Sequence, residues 1–481
     1  MARIELLGGA YTARSLIAAA QSCKNLFPES NPAGASQAPV KVTHYQRPGL
    51  VQRSTVPSAT TVRCQYRTTT GKLYEVIGSG VYYTDSALTR TALGAIAPGS
   101  GQVKMSDNGV VAVIVDGSAR GWWIDLSTNV MLEIFDAAFY GSNFVCYSDT
   151  YLIFNRPNSQ QFYLSPPNWN GATAFDPLDI AAKVTGADDL AGIAVVKGDI
   201  WLIGNLSTQV SSDVGGEDFA FAPVPGVYMD QGTVAVYSIV QTDLSAFWLS
   251  QDTEGHGIFL EGSNYSATRI STHAIEQEIQ KYGDLSDCIG MSYQQDGHSF
   301  IQWTFPSADK TWVYDRASEM WHERTWTDSD GIEHRHRANC MAFCYGLNFC
   351  GDWENGKLYE QSLTTYTDDG GPIVFRRGFP HLVNDGKRVS YNAFTLDMQC
   401  GSVEGVLLTD PPLVSLRWSD THGYSFGDPI VQSMGATGQY LRQINFNRLG
   451  QARDRVFEVF WSAPAPTALN GAWCQVTPMG T

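Results

Sequence analysis

Short, strongly apolar runs recur along the chain, each bounded by polar or turn-forming positions. Seven stand out: residues 72–77 (KLYEVI), 110–115 (VVAVIV), 151–154 (YLIF), 200–203 (IWLI), 246–249 (AFWL), 299–303 (SFIQW) and 347–350 (LNFC). Runs this short, rich in β-branched and aromatic residues, predict strands. Their centres lie about 40 to 50 residues apart, the period of a four-stranded propeller blade. Turn signals precede several of them, at Gly71, Asp107-Asn108-Gly109, Ser148-Asp149, Gly198-Asp199 and Asp296-Gly297-His298. Aromatic-bearing echoes follow some, at residues 122–125 (WWID), 161–164 (QFYL) and 311–315 (TWVYD). The pattern predicts an all-β chain with an irregular six- or seven-bladed β-propeller over residues 58–366. A stack of β-sandwiches gives similar strands; what separates the two is closure, each unit packing face-on against the next.

The flanks differ. Residues 1–57 read as an N-terminal arm with a helix over 14–25 (RSLIAAAQSCKN), a loop at 28–34 and the segment HYQRPGL at 44–50. It is either an arm on a neighbouring subunit or a poorly ordered terminus. A second helix is predicted over 271–282, with Ile275, Ile279 and Tyr282 on one face and Ser271 or Thr272 as cap. Residues 367–481 predict a C-terminal β-sandwich-like domain, with strands at 373–377, 390–398, 414–418, 440–447 and 456–461 and a Pro/Ala-rich tail from Ser462.

Composition sharpens this. The 481 residues are 43% hydrophobic and 17% charged, with 46 glycines and a net charge of −16. Such a balance argues against wrapping nucleic acid, which needs a basic surface. It suits either solubility alone or a wall that DNA slides past without sticking. Nine cysteines with no CxxC pair, and with Cys340, Cys344 and Cys350 in no common zinc spacing, read as free buried thiols of a protein made in a reducing cytosol. The first nine residues do not form a signal peptide, and no run is long and apolar enough to span a membrane.

Candidate chemistry is sparse. His334 and His336 would share one strand face, but no third metal ligand is evident, so hydrogen bonding or interface contact is the better reading. Asp252, Glu254, Asp315, Glu323 and Asp352 are candidate acids for glycoside hydrolysis, yet no spacing pairs any two. Residues 419–426 (SDTHGYSF) resemble an Asp-box hairpin with its key positions altered, which suggests a structural turn. Arg442, Arg448, Arg453 and Arg455 interleave with Asp454 and Glu458, which suggests intersubunit ion pairs. No nucleophile elbow, P-loop or dinucleotide fingerprint occurs. No catalytic residue, cofactor or metal is expected.

An ordered set of motifs carries a resemblance: WLIGNLSTQV at 201–210, PVPG at 223–226, DTEGHGIF at 252–259, RISTHAIE at 269–276, GHSF at 297–300, TFP at 304–306, TWVYD at 311–315, WHER at 321–324, HRHR at 334–337, GDW at 351–353, RRGFPH at 376–381 and LRWS at 416–419. In this order they resemble the packaged-DNA stabilisation proteins, the tail hub or nozzle proteins of short-tailed bacteriophages. The likeness is diffuse over the first 190 residues and dense from about 190 to 460. The resemblance implies a structural, non-enzymatic virion protein assembled in the host cytoplasm. It implies a hexameric ring below the portal and adaptor, touching a tail spike or fibre and a needle or plug. Genomic DNA would pass along the axis without sequence-specific binding. His322, Glu323, Arg324, His334, His336, Arg376 and Arg377 are the candidate interface residues. The alternative reading is a carbohydrate-binding or carbohydrate-cleaving propeller.

Overall fold

The computed structural model describes residues 2–7, 11–30, 42–54, 60–216, 218–399, 411–436 and 438–479. Seven four-stranded antiparallel blades follow one another from Val62 to Ser362. Their first strands are Val62–Arg67, Lys104–Asp107, Val145–Ser148, Leu190–Val196, Val240–Gln241, Ile289–Gln295 and Ala338–Cys344. Each of these touches the next, and Ala338–Cys344 returns to Val62–Arg67, so the ring closes. That closure decides for a propeller over stacked sandwiches, and the blade number is seven.

The seven apolar runs are the second strands of the seven blades: Leu73–Ile77, Val111–Val115, Tyr151–Asn155, Asp199–Gly204, Ala246–Gln251, His298–Phe305 and Leu347–Asp352. A second strand has a sheet neighbour on each side and an adjacent blade on each face. It therefore reads as a continuous hydrophobic run rather than an alternating one. Leu73–Ile77 and Val111–Val115 are buried at every position. Two-residue turns join many strands. Lys197-Gly198 and Asp296-Gly297 both lie at positive φ, the left-handed pair that matches strand twist in a tight hairpin and that glycine adopts without Cβ strain.

The last blade is completed from the other end of the chain. Its strands run Ala338–Cys344, Leu347–Asp352, Leu358–Ser362, and then Gly49–Ser54 as the fourth, beyond which the sheet continues into Thr367–Asp368 and Gly371–Pro372. The strand Cys23–Lys24 makes a second tie. It pairs with Met320–Glu323 of the sixth blade on one side and with Phe375–Gly378 of the C-terminal domain on the other. One continuous sheet thus runs from blade six through Cys23–Lys24 into Phe375–Gly378, Asp454–Trp461, Leu413–Ser419 and Ile430–Ser433. The facing sheet joins Ile444–Asn447, Val389–Gln399, Ala468–Pro478, Val42–Gln46 and Leu26–Ser30. Between them lies a core that includes Phe375, Phe394, Phe457 and Trp461 together with Leu6, Cys23 and Leu26.

Several expectations are corrected here. Residues 14–25 form no helix. Only a single turn occurs, with Ala18 N–H donating to the Ser15 carbonyl at 2.9 Å, before the strands Ala20–Gln21 and Cys23–Lys24. An isolated helix this short is marginal, and the two open sheet edges offer this segment backbone partners a helix would forgo. The described strands of residues 2–54 pair within the chain, so they are not an arm held out for a neighbour. The expected loop at 28–34 begins with Pro28–Ser30 inside the strand Leu26–Ser30, and its remainder lies outside the described residues. The Pro/Ala-rich tail contains the eleven-residue strand Ala468–Pro478, which crosses the centre of the sandwich sheet.

The second helix forms as His273–Ile279, with Ile275 and Ile279 buried against Phe247, Trp303 and Phe305. Thr272 is its extended N-cap but makes no side-chain cap bond. The Ser271 hydroxyl instead donates to Glu276, at 2.6 Å. The altered Asp-box forms a turn between Leu413–Ser419 and Ile430–Ser433, with Ser419 Oγ accepting the Gly423 N–H at 2.9 Å.

Candidate functional site

A dense polar constellation sits where the N-terminal segment, the propeller and the sandwich meet. Asn25, held at φ 58°, is its centre. Its Nδ2 donates to Thr325 Oγ1 at 2.9 Å and to the Val374 carbonyl at 2.8 Å. Its Oδ1 accepts from Thr325 N–H at 2.9 Å and from Arg47 Nε at 2.8 Å. Arg47 then clamps Asp368 with two nitrogens, at 3.0 and 2.5 Å, and both side chains are fully buried. One asparagine and one ion pair therefore join three parts of the chain.

Charge surrounds this centre. Lys24 reaches Glu333 at 2.7 Å and Glu323 at 3.4 Å, while Arg376 reaches Glu333 at 2.8 Å. Burial raises the Glu333 carboxyl, but Lys24 and Arg376 outweigh it and hold the group below the ordinary range. Deeper in, the Arg324 side chain lies over the Tyr293 and Phe300 rings, at 5.3 and 5.2 Å, its nitrogens without a well-formed hydrogen-bond partner among the described residues. Neither ring nitrogen of His322 has one either, and burial, reinforced by Arg324, drives its pKa well down. His336 is pushed down by burial and then by Arg47.

Of the seven candidate interface residues, His322, Arg324, His336 and Arg377 are at most 1% exposed within the chain. Their burial removes them from any outward face. Glu323 is also buried, bonded to Lys310 at 3.1 Å, and only His334 and Arg376 remain half-exposed. His334 and His336 do not converge. His334 faces Asp309 through Nδ1 at 2.8 Å and Asp328 through Nε2 at 3.3 Å, on opposite edges of its ring.

Most of the candidate glycosidase acids have separate partners. Asp315 bonds His298 at 2.7 Å, and Asp352 bonds Arg337 at 2.8 Å and the Tyr359 hydroxyl at 3.0 Å. Asp252 and Glu254 approach the same His256 on one exposed hairpin turn, where Asp252 accepts two backbone N–H groups. Arg455 pairs with Asp420 of its own chain, at 2.6 Å, which corrects its assignment to an intersubunit contact. The eight described cysteines are free and buried. Burial lifts Cys64 and Cys146 to about 12, which keeps them as unreactive thiols.

A protein-family model described as "Bacteriophage P22 Gp10, beta-propeller" matches residues 2–366. The chain belongs to the bacteriophage P22 Gp10 family. A second model, "Bacteriophage P22 Gp10, beta-sandwich", matches residues 375–477. The Gp10 family is that of the packaged-DNA stabilisation proteins, and membership makes this chain a phage structural tail protein. No curated protein sequence matches it. Among solved structures, the WD40 β-propeller domain of Doa1 is similar over 66% of this chain and 98% of its own, at 9% identity and a TM-score of 0.39. No helix among the described residues is long and apolar enough to cross a membrane. The residues that weld this Gp10-family chain together, Asn25, Arg47 and Asp368, are absent from the candidates read in its sequence. Asn25 lay inside the segment read as helix, and nothing in spacing alone marks a residue whose side-chain amide bonds to partners some 300 positions away.

Proposed function

We propose that this chain is the tail hub, or nozzle, subunit of a short-tailed phage. Six copies form a ring below the portal and adaptor, close the filled head, retain packaged DNA and leave an exit channel. The match to both Gp10 domains, over residues 2–366 and 375–477, carries this reading. The build of the chain is consistent with it. A subunit that resists the outward push of DNA needs rigid parts that do not slide, and here a shared sheet joins the propeller to the sandwich. A net charge of −16 disfavours adhesion of phosphate to the wall. The ring touches a spike or fibre and a needle or plug, is assembled in the host cytoplasm, and has no catalytic role.

Disrupting the gene in its phage tests this. Heads should package DNA and then lose it, and purified protein added in trans should restore DNA-filled particles. Stable full heads lacking the chain would overturn the reading, as would cleavage of host polysaccharide by the pure protein.

A further inference from the structure

At one end of the sandwich, three segments bring two imidazoles onto a single carboxylate. His381 precedes the short strand Leu382–Val383, His422 sits on the turn after Leu413–Ser419, and Asp454 opens the strand Asp454–Trp461. His381 Nδ1 lies 2.8 and 2.9 Å from the two oxygens of Asp454, and His422 Nδ1 contacts the same carboxylate. The ligand atoms of all three residues lie within 4.8 Å of one another, and the rings are 6.3 Å apart. Asp454 is 8% exposed, whereas the His422 side chain is 47% exposed.

The hydrogen-bond pattern limits what can sit between these groups. His381 Nε2 contacts the Leu16 carbonyl, an acceptor only, so Nε2 carries the proton. Its other nitrogen, Nδ1, is thereby turned to the Asp454 carboxylate, so a cation held there would be shared by both groups. His422 brings its own Nδ1 to the same carboxylate from the other side. A metal-bound histidine characteristically donates its second nitrogen to a backbone carbonyl, and His381 does so. Two imidazoles and one carboxylate make a donor set suited to zinc and its neighbours rather than to calcium or magnesium.

We propose that His381 Nδ1, His422 Nδ1 and an oxygen of Asp454 bind a zinc ion, with solvent at the fourth position on the exposed His422 side. Ligand atoms around tetrahedral zinc stand about 3.3 Å apart, given bonds of about 2.0–2.1 Å. The His381 and Asp454 atoms, 2.8 and 2.9 Å apart, would open by about 0.4 Å, and the closer His422–Asp454 contact by more. The site is structural. Leu16 belongs to the N-terminal segment that crosses this end of the sandwich, and a Cβ added at Gly423, beside His422, would lie 3.3 Å from the Ala20 Cβ. The metal would fix two turns of the sandwich and, through His381, the crossing of that segment.

The test uses untagged full-length protein, stripped with EDTA, dialysed and titrated with zinc in a calorimeter. A single saturable equivalent is expected, together with a rise in thermal midpoint. His422→Ala, on the exposed turn, should bind at least about tenfold more weakly and lose that rise, and Asp454→Asn should do the same. Cobalt in place of zinc should give a spectrum of nitrogen and oxygen ligation without sulfur-to-metal charge transfer, which excludes the free cysteines as the site. No saturable equivalent, unchanged affinity in His422→Ala, or a thiolate band would each overturn the proposal. Should Asp454→Asn fail to fold, His422→Ala decides alone.

Discussion

At the residue scale the buried Arg47–Asp368 pair is the most consequential contact, because both partners have lost water entirely. Removing one partner of such a pair leaves an uncompensated charge inside the protein, at a cost of about 3–5 kcal/mol. Asp368→Ala should therefore lower unfolding free energy by about that amount, measured by denaturant melts of the soluble chain. The histidines set the pH response. His44, His322 and His336 are all driven well below 6.5, with burial the largest cause in each. Below 6.5 the unfolded chain binds protons these rings refuse in the fold, so stability falls as pH drops through that value. His334 acts oppositely. Its hydrogen bond to Asp309, then that to Asp328, raises its pKa, so its contribution is full below 6.5 and fades as pH rises through the raised value. Three buried rings against one half-exposed ring give net acid lability. His322→Leu should both raise the thermal midpoint and flatten its decline between about pH 6.5 and 5.

At the scale of elements, the propeller depends on the strand Gly49–Ser54, which completes the seventh blade. A Cβ at Gly49 would stand 2.3 Å from the Thr365 carbonyl oxygen and 2.7 Å from that of Thr367. Backbone cannot step aside as a flexible side chain does. Gly49→Ala should destabilise by roughly 1–3 kcal/mol, visible as a lower thermal midpoint and faster proteolysis of the closing strand. The second strands of the blades were legible in the sequence because burial on both faces writes itself as an unbroken apolar run, as in 111–115. The third strands were partly legible through aromatics such as Trp122 and Trp312. The closing strand was not, since pairing between Gln52 and Tyr359 spans some 300 positions and leaves no local period. The same blindness applies to His381, His422 and Asp454, which meet only once the sandwich folds. Ala-rich composition misled at 14–25, where long-range sheet pairing overrode helix propensity.

At the scale of the whole molecule, the sheet that passes from blade six through Cys23–Lys24 into the sandwich makes the two bodies one mechanical unit. Calorimetry should show a single cooperative transition, and two well-separated transitions would contradict that coupling. The acidic surface should likewise leave duplex DNA unretarded in a mobility assay at moderate salt, since a chain of net charge −16 has few counterions to release. The all-β class and the two-part architecture were both readable from strand spacing. The knot of contacts that unites the parts was not, because it is built from residues near 25, 47, 325 and 368.

The latch of the wheel is translated first and engaged last. Gly49–Ser54 leaves the ribosome roughly 300 residues before the blade it completes, which at about 5–20 residues per second is a wait of roughly 15–60 s. Throughout that interval the nascent wheel is an open arc with a bare edge at its growing end. Premature capture of that edge by another copy would swap latches between molecules, so the order of synthesis itself makes crowded ribosomes a hazard for correct closure.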